Sequence, residues 1–216
     1  MAEKTYKGKV KARIVELRFA SSGKLAKLNK KRGDTVKKGE LIASLDKKLL
    51  QIELDRQLGD YEKKRAEFEI FNIQKGEPQD DLTKYLKSIK QAELNVSVKD
   101  VEIAKAKLDQ ADLFSPVEGI IIDDSNLVPG IYITPASGAV RIIDTSSYYF
   151  EVEIDQENLK DFLEPREVRV EISGINKKYS GKTRGVIASQ NYKFLVETEF
   201  GDLTALIYGL EGKLTI

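Results

Sequence analysis

The sequence predicts a mixed α and β protein of elongated form: an antiparallel helical hairpin inserted into a small β-sandwich, with a small β-barrel after it. Three features predict it. Residues 46–112 contain no glycine but Gly59 and Gly76 and no proline but Pro78, and they are dense in Lys, Glu, Asp, Gln, Leu and Ala. The segments on either side are short apolar runs punctuated by glycine, and they resemble each other. The last seventy residues hold several short strand candidates at the spacing of a barrel.

From Lys9 onward the N-terminal segment alternates. Val10, Ala12 and Ile14 fall on one face and Val15, Leu17 and Phe19 on the other, so a bend or bulge is expected near Ile14–Val15. Residues 21–46 read as short strands joined by turns. Gly33-Asp34 supplies the positive φ that a tight turn needs, Gly39-Glu40 makes a second turn, and Leu41, Ala43 and Leu45 alternate into a strand.

The first helix is expected to start at Asp46, a suitable N-cap, and to end near Gly76. Leu54, Tyr61 and Phe68 recur every seven residues, with Leu50 and Phe71 on the companion position and Gln57 and Lys64 diluting it. The breaker Lys75-Gly76-Glu77-Pro78-Gln79-Asp80-Asp81 separates it from a second helix capped by Asp80 or Asp81. Its seam is read at Leu82, Ile89, Val96 and Ile103, with Tyr85, Ala92 and Ala106 beside it. A 3.5-residue repeat over about four heptads predicts an antiparallel two-stranded coiled coil. The competing reading is an amphipathic helix packed on a sheet, but no flanking segment carries an apolar face long enough to cover one.

Residues 113–145 return to β language. Gly119 and Gly130 stand in the places of Gly23 and Gly33, Ile133 matches Val36, and Ile143-Asp144 matches Leu45-Asp46. Each half is too short to bury a core alone, so the two are expected to pair into one sandwich. After Tyr148–Ile154 come a helical turn at residues 155–162 and strand candidates at 167–172, 181–188, 194–200 and 212–216.

Composition excludes several functions. The chain of 216 residues has 36 basic and 35 acidic residues, a net charge of +1, which is no electrostatic footprint for nucleic acid. It has no Cys and no His, which removes thiolate nucleophiles, Cys/His zinc sites and imidazole triads. No apolar run approaches the ~20 residues that span a bilayer, and the N-terminus has no apolar core of a signal peptide. The expectation is a cytoplasmic protein or a piece whose export signal or anchor has been removed. Asp123-Asp124 and Asp80-Asp81 are poor acid/base pairs, because neighbours on a strand point apart. Asp123, Asp124 and Asn126 carry too few oxygen ligands for a recognised calcium loop. No catalytic, cofactor or metal site is assigned.

The ordered set of motifs resembles the periplasmic adaptor, or membrane fusion protein, family of bacterial efflux and secretion systems. The first lipoyl-like half carries Gly33-Asp34-Thr35-Val36-Lys37-Lys38-Gly39-Glu40-Leu41-Ile42-Ala43-Ser44-Leu45-Asp46. The second carries Ser115-Pro116-Val117-Glu118-Gly119-Ile120-Ile121. The barrel segment carries Phe150-Glu151-Val152-Glu153-Ile154, then Tyr179-Ser180-Gly181 and Gly209-Leu210-Glu211-Gly212. The resemblance implies residues 21–46 and 113–145 as a lipoyl-like domain in two halves and 47–112 as the hairpin. It implies 146–216 as the barrel and 1–20 as strands of the barrel or of a membrane-proximal region.

It also implies a non-enzymatic adaptor outside the cytoplasmic membrane. The implied partners are an inner-membrane transporter, with the ABC type among the candidates, an outer-membrane channel or other exit duct, and further copies in a homo-oligomeric ring. An anchor and a membrane-proximal domain are expected beyond this chain, or else a minimal member. Adaptors that dock on outer-membrane channels show Arg, Leu and Ser at set spacing near the tip. Counted from Leu82, those Arg and Ser positions hold Pro78 and Ile89, which points to a divergent duct or a single-membrane host. Tip contact then falls to Gly76, Glu77, Pro78, Gln79, Asp80, Asp81, Leu82 and Tyr85. The alternative is a lipoyl or biotin carrier domain, whose modified lysine would fall at Leu49. Lys47 and Lys48 precede that position, and a carrier keeps a tight turn where this chain inserts a hairpin.

Overall fold

The structure, a computed structural model, describes residues 4–76, 80–175, 177–188 and 193–216. In chain order the strands are β1 (Thr5–Lys11), β2 (Ile14–Leu17), β3 (Gly23–Leu28), β4 (Thr35–Val36) and β5 (Leu41–Leu45). Helices α1 (Lys48–Lys75) and α2 (Asp81–Asp109) follow. Then come β6 (Asp112–Phe114), β7 (Gly119–Asp123), β8 (Tyr132–Ile133), β9 (Val140–Asp144) and β10 (Tyr149–Asp155). A 3-10 turn at Gln156–Asp161 leads to β11 (Glu167–Ile172), β12 (Lys177–Ala188), β13 (Lys193–Phe200) and β14 (Glu211–Thr215).

The two similar halves pair by exchange. One four-stranded sheet has the order β2-β9-β7-β4 and the other β6-β5-β3-β8, so the two-residue strands β4 and β8 are lent across to the other half's sheet, with β6 also pairing on β5. The lent strands bury matching side chains, Val36 and Ile133. The turns before them use glycines at φ 94° and 101°, Gly33 and Gly130, a conformation that a Cβ disfavours. Gly119 has a different constraint: a Cβ there would overlap the Ile143 carbonyl oxygen of the neighbouring strand. Phe19, Leu25, Ile42, Ile121 and Ile142 fill the space between the sheets.

The barrel closes in the order β1-β10-β13-β12-β11-β14, which leaves no free sheet edge. Phe150, Val152, Val170, Val196 and Leu214 fill it, and Phe162 from the end of the 3-10 turn covers one opening. Tyr6 meets Phe162 edge-on at 5.1 Å and donates its hydroxyl to Asp161 Oδ2 at 2.9 Å. Burial, then that bond to Asp161, pushes the phenol up to about 12.

The N-terminal segment divides between the two β bodies. β1 pairs with β10 and β14 in the barrel, whereas β2 pairs with β9 in the sandwich. The break lies at Ala12-Arg13, before the expected bend. Alternation restarts there because the chain changes bodies, and Ile14 is exposed rather than sharing the buried face of Val10 and Ala12. The crossing is pinned by Arg13, whose guanidinium bonds Asp144 at 2.5 Å and whose N–H donates to Ser147 Oγ at 2.9 Å. The Asp144 N–H in turn donates to the Arg13 carbonyl at 2.9 Å. β12 also begins earlier than expected, at Lys177, because residues 177–180 pair with β11.

Candidate functional site

The hairpin grows from the edge of the sandwich, between β5 and β6. Its base is tied across the two strands. Ser44 Oγ donates to Asp112 Oδ1 at 2.8 Å and Lys47 Nζ to Asp112 Oδ2 at 2.5 Å. Helix α1 is capped differently from the expectation. Lys47 takes the cap position in a helical conformation without a side-chain cap bond, and Asp46 instead accepts the Lys48 N–H at 3.0 Å. Asp46 therefore serves the first turn from one residue outside the cap. The helices run 28 and 29 residues, so the rod is about 42 Å long.

Alternation of half-buried and exposed positions shows which faces meet. On α1 the inward line is Leu50, Leu54, Gln57, Tyr61, Lys64, Phe68 and Phe71, the seam expected from the sequence. On α2 the inward line is Leu94, Ser97, Val101, Ala104 and Leu108, continued toward the tip by Thr83, Lys87 and Lys90. The period is the expected one, but the phase is shifted by a residue. Leu82, Ile89, Val96 and Ile103 are 69%, 54%, 60% and 53% exposed, so they form an outer stripe and not the seam. The shift has a physical cause. Small Ser97 and Ala104, the two buried residues of α2, face the wider side chains of α1, and so the packed face of α2 is its less hydrophobic one. The sequence signal that finds it is the second heptad series Leu94, Val101, Leu108.

The lysines in the seam are neutralised across it. Lys64 Nζ donates to Glu93 at 3.3 Å and Lys90 Nζ to Glu67 at 3.5 Å, with Lys90 also reaching Glu93 at 3.1 Å. The bonds from Lys90 and Lys64 hold the Glu93 carboxyl below its ordinary range and hold both ammoniums above theirs. These half-exposed pairs fix the height of one helix against the other.

Of the expected tip residues, Glu77, Pro78 and Gln79 lie outside the described residues. Gly76 ends α1 with φ 61°, its N–H donating to the Asn72 carbonyl at 2.9 Å. Asp80 caps α2, accepting the Thr83 N–H at 2.6 Å, and this bond holds its carboxyl below the usual range. Asp81 pairs with Lys84 at 3.1 Å. Leu82 and Tyr85 stand exposed beside them. The start of α2 beside the tip thus presents two carboxylates, Asp80 and Asp81, and two large exposed side chains, Leu82 and Tyr85.

The other carboxylate pairs are occupied structurally. Asp123 accepts the Arg141 guanidinium at 2.6 Å and the Ser125 N–H, while Asp124 accepts the Arg32 and Asn126 N–H groups. Asp123 ends β7 and Asp124 lies in the turn after it, so both carboxylates are committed to the turn and to ion pairing. Lys47, the nearest candidate for carrier-type acylation, is committed to Asp112 at the hairpin base. Among the described residues no helix is long and apolar enough to cross a membrane.

The family model for the barrel-sandwich hybrid domain of the RND membrane fusion proteins matches residues 13–146. No curated protein sequence matches the chain. Among solved structures, the membrane fusion protein Spr0693 of Streptococcus pneumoniae R6 superposes with a TM-score of 0.81 at 18% identity, over 98% of each chain. A MacA-MexA chimera carrying the Pseudomonas aeruginosa MexA α-hairpin gives 0.81 at 18%, over 99% of this chain and 81% of the other. MacA of Actinobacillus actinomycetemcomitans gives 0.64 at 19%, over 99% and 78%. At these identities the solved structures establish the fold, and the domain match establishes kinship.

Proposed function

Since the chain belongs to the membrane fusion protein family of efflux transporters, we propose that it is a non-enzymatic adaptor subunit. In this role it bridges an inner-membrane transporter to an exit duct or to the cell surface. Members of the family are periplasmic, membrane-associated adaptors that work with inner-membrane transporters and outer-membrane channels. We assign residues 21–46 and 113–145, with the barrel of 146–216, to the body that sits toward the transporter in a homo-oligomeric ring. The hairpin of 47–112 reaches away from it on the extracytoplasmic side. Residues 76–82 and Tyr85 form the contact with the duct.

The observation that carries this proposal is the hairpin. It is a rod of two long helices, tied at its base by Ser44, Lys47 and Asp112, and it ends in exposed Leu82 and Tyr85. Such a shape transmits position and brings no reacting groups together. The carrier alternative loses its site, because α1 begins at Lys48 where a carrier keeps its lysine turn. The test is complementation of a deletion strain with the full chain. Wild type restores export of the transporter's substrate, and the tip variant Leu82→Asp/Tyr85→Asp does not, while its thermal unfolding stays at the wild-type temperature. Full export by the tip variant refutes the tip contact. Normal export without the protein refutes the adaptor role.

A further inference from the structure

Gly59 stands in the interior of α1, and the folded chain gives no reason for it. Its φ is not positive, it is exposed, and a Cβ built there would have no neighbour within 4 Å. A side chain would fit, and every residue but proline forms helix more readily than glycine, whose backbone has the most freedom to lose. The sandwich glycines differ. Gly33 and Gly130 turn the chain at positive φ, and Gly119 lies against the Ile143 carbonyl.

Helix α2 has a weak point of its own. Ser97 is buried in the seam, and its hydroxyl donates to the Leu94 carbonyl of the same helix at 2.7 Å. Such a bond competes with the backbone ladder and bends helices, and sharp bends gather at glycine and serine. The two weak points lie at nearly one level. Lys64 meets Glu93 and Lys90 meets Glu67 across the antiparallel pair, so a step along α1 is matched by an equal step back along α2. Five residues before Lys64 stands Gly59, and five after Glu93 stands Val98, the neighbour of Ser97. Gly59 and Ser97 are therefore within about one helical turn, roughly 5.4 Å, of each other along the rod.

Little fastens the helices to each other there. Gln57 donates to Glu53 of its own helix at 2.8 Å, and Ser97 is spent on Leu94. Among the described residues, the side-chain bonds that cross from helix to helix are those of Lys64 to Glu93 and Lys90 to Glu67, on the tip side. On the other side Asp112 holds Lys47 and Ser44 at the base. The level of Gly59 falls between two fastened regions. At that level the inward side chain of α2 is the short one of Ser97, so the helices can tilt there without driving a large side chain into its neighbour.

We propose that the hairpin has a joint at Gly59 and Ser97. The base segment stays fixed to the sandwich. The outer segment, residues 60–75 and 81–96, swings on the joint as one unit, held together by the two lysine–glutamate pairs. The joint belongs to the isolated chain. Its use rests on the adaptor reading: it lets the outer segment meet a duct that is not aligned with the body.

The full chain has no cysteine, so Ile73→Cys near the tip and Tyr132→Cys on the sandwich, both exposed positions, can carry a pair of spin labels. Pulsed electron spin resonance on the isolated full chain reads the spread of distances between them. The expected spread is broad, and Gly59→Ala/Ser97→Ala narrows it. Amide exchange gives a second readout. Residues 57–63 and 97–101 are expected to exchange faster than the helix on either side, and the paired substitution slows them about fivefold. A narrow spread in the unsubstituted chain overturns the joint. A broad spread that the alanines leave unchanged puts the motion at the base and also overturns it, as does uniform exchange along both helices. None of these results needs the transporter, so the joint can fail while the adaptor reading stands. In complementation the alanine variant is expected to export less than wild type. Undiminished export overturns the use of the joint, whereas export in the absence of the protein overturns the adaptor reading itself.

Discussion

The β bodies and the hairpin solve the problem of stability in opposite ways. The sandwich and the barrel enclose large apolar side chains completely, among them Phe19, Leu25, Ile42 and Ile142 in one and Phe150, Phe162 and Leu214 in the other. The two long helices of the hairpin, among the described residues, bury only Ser97 and Ala104. Two helices alone cannot enclose a core, and half of each helix faces water. The hairpin therefore exposes Leu82, Ile89, Val96 and Ile103, which a self-sufficient domain would cover. The bodies enclose their own cores, and the rod leaves its outer stripe in solvent.

Substitutions can break this contrast, beginning with the largest effect. Phe150→Ala in the barrel core is expected to cost about 3–5 kcal/mol in denaturant unfolding. A loss comparable to that of a surface site would mean that the barrel core is not close-packed. Leu54→Ala in the half-buried hairpin seam is expected to cost less, about 1–2 kcal/mol. Asp80→Ala removes the cap of α2 and should cost about 1 kcal/mol, read as lost helicity near the tip by amide exchange. Ile89→Ala should change stability by less than about 0.5 kcal/mol while weakening export, which separates the outer stripe from the seam.

Acid sharpens the contrast from the side of the bodies. Burial pushes the Asp144 carboxyl upward, but the bonds from Ser146 and Arg13 outweigh it and hold the group below the ordinary range. Its unfolded value is about 3.9. Asp144 therefore contributes its full stabilisation above about pH 4, and loses it as pH falls through the lower folded value. In Asp144→Asn this part of the acid limb disappears from a plot of stability against pH. An unchanged acid limb would show that the crossing between barrel and sandwich does not depend on this charge.

The sequence legibly announced whatever repeats or punctuates. The paired glycines, Gly33 with Gly130, and the paired apolar residues, Val36 with Ile133, marked two halves of one sandwich, because only glycine adopts those turns freely. The α1 seam was legible through Leu54, Tyr61 and Phe68, since its largest side chains are also its inward ones. The α2 seam was not, because its best heptad faces outward. Periodicity reports that a face is apolar and not which partner it meets, and Leu82, Ile89, Val96 and Ile103 were assigned to the wrong one. The break at Ala12-Arg13 was obscured for a related reason: alternation shows a change of parity, not a change of body. The tip was legible as a breaker with caps, and Asp80 takes the cap, but nothing in the residues names what Leu82 and Tyr85 touch.

The central claim is that the bodies are complete alone and the hairpin is completed by assembly. Backbone hydrogen exchange, measured segment by segment on the isolated protein and on the protein assembled with its transporter in membranes, tests it most directly. The account predicts that in isolation β10, β13 and β9 exchange far more slowly than residues 82–103. On assembly, residues 82–103 gain protection while the core strands stay unchanged. A hairpin already as protected as the barrel core in isolation, or one that gains nothing on assembly, would contradict it.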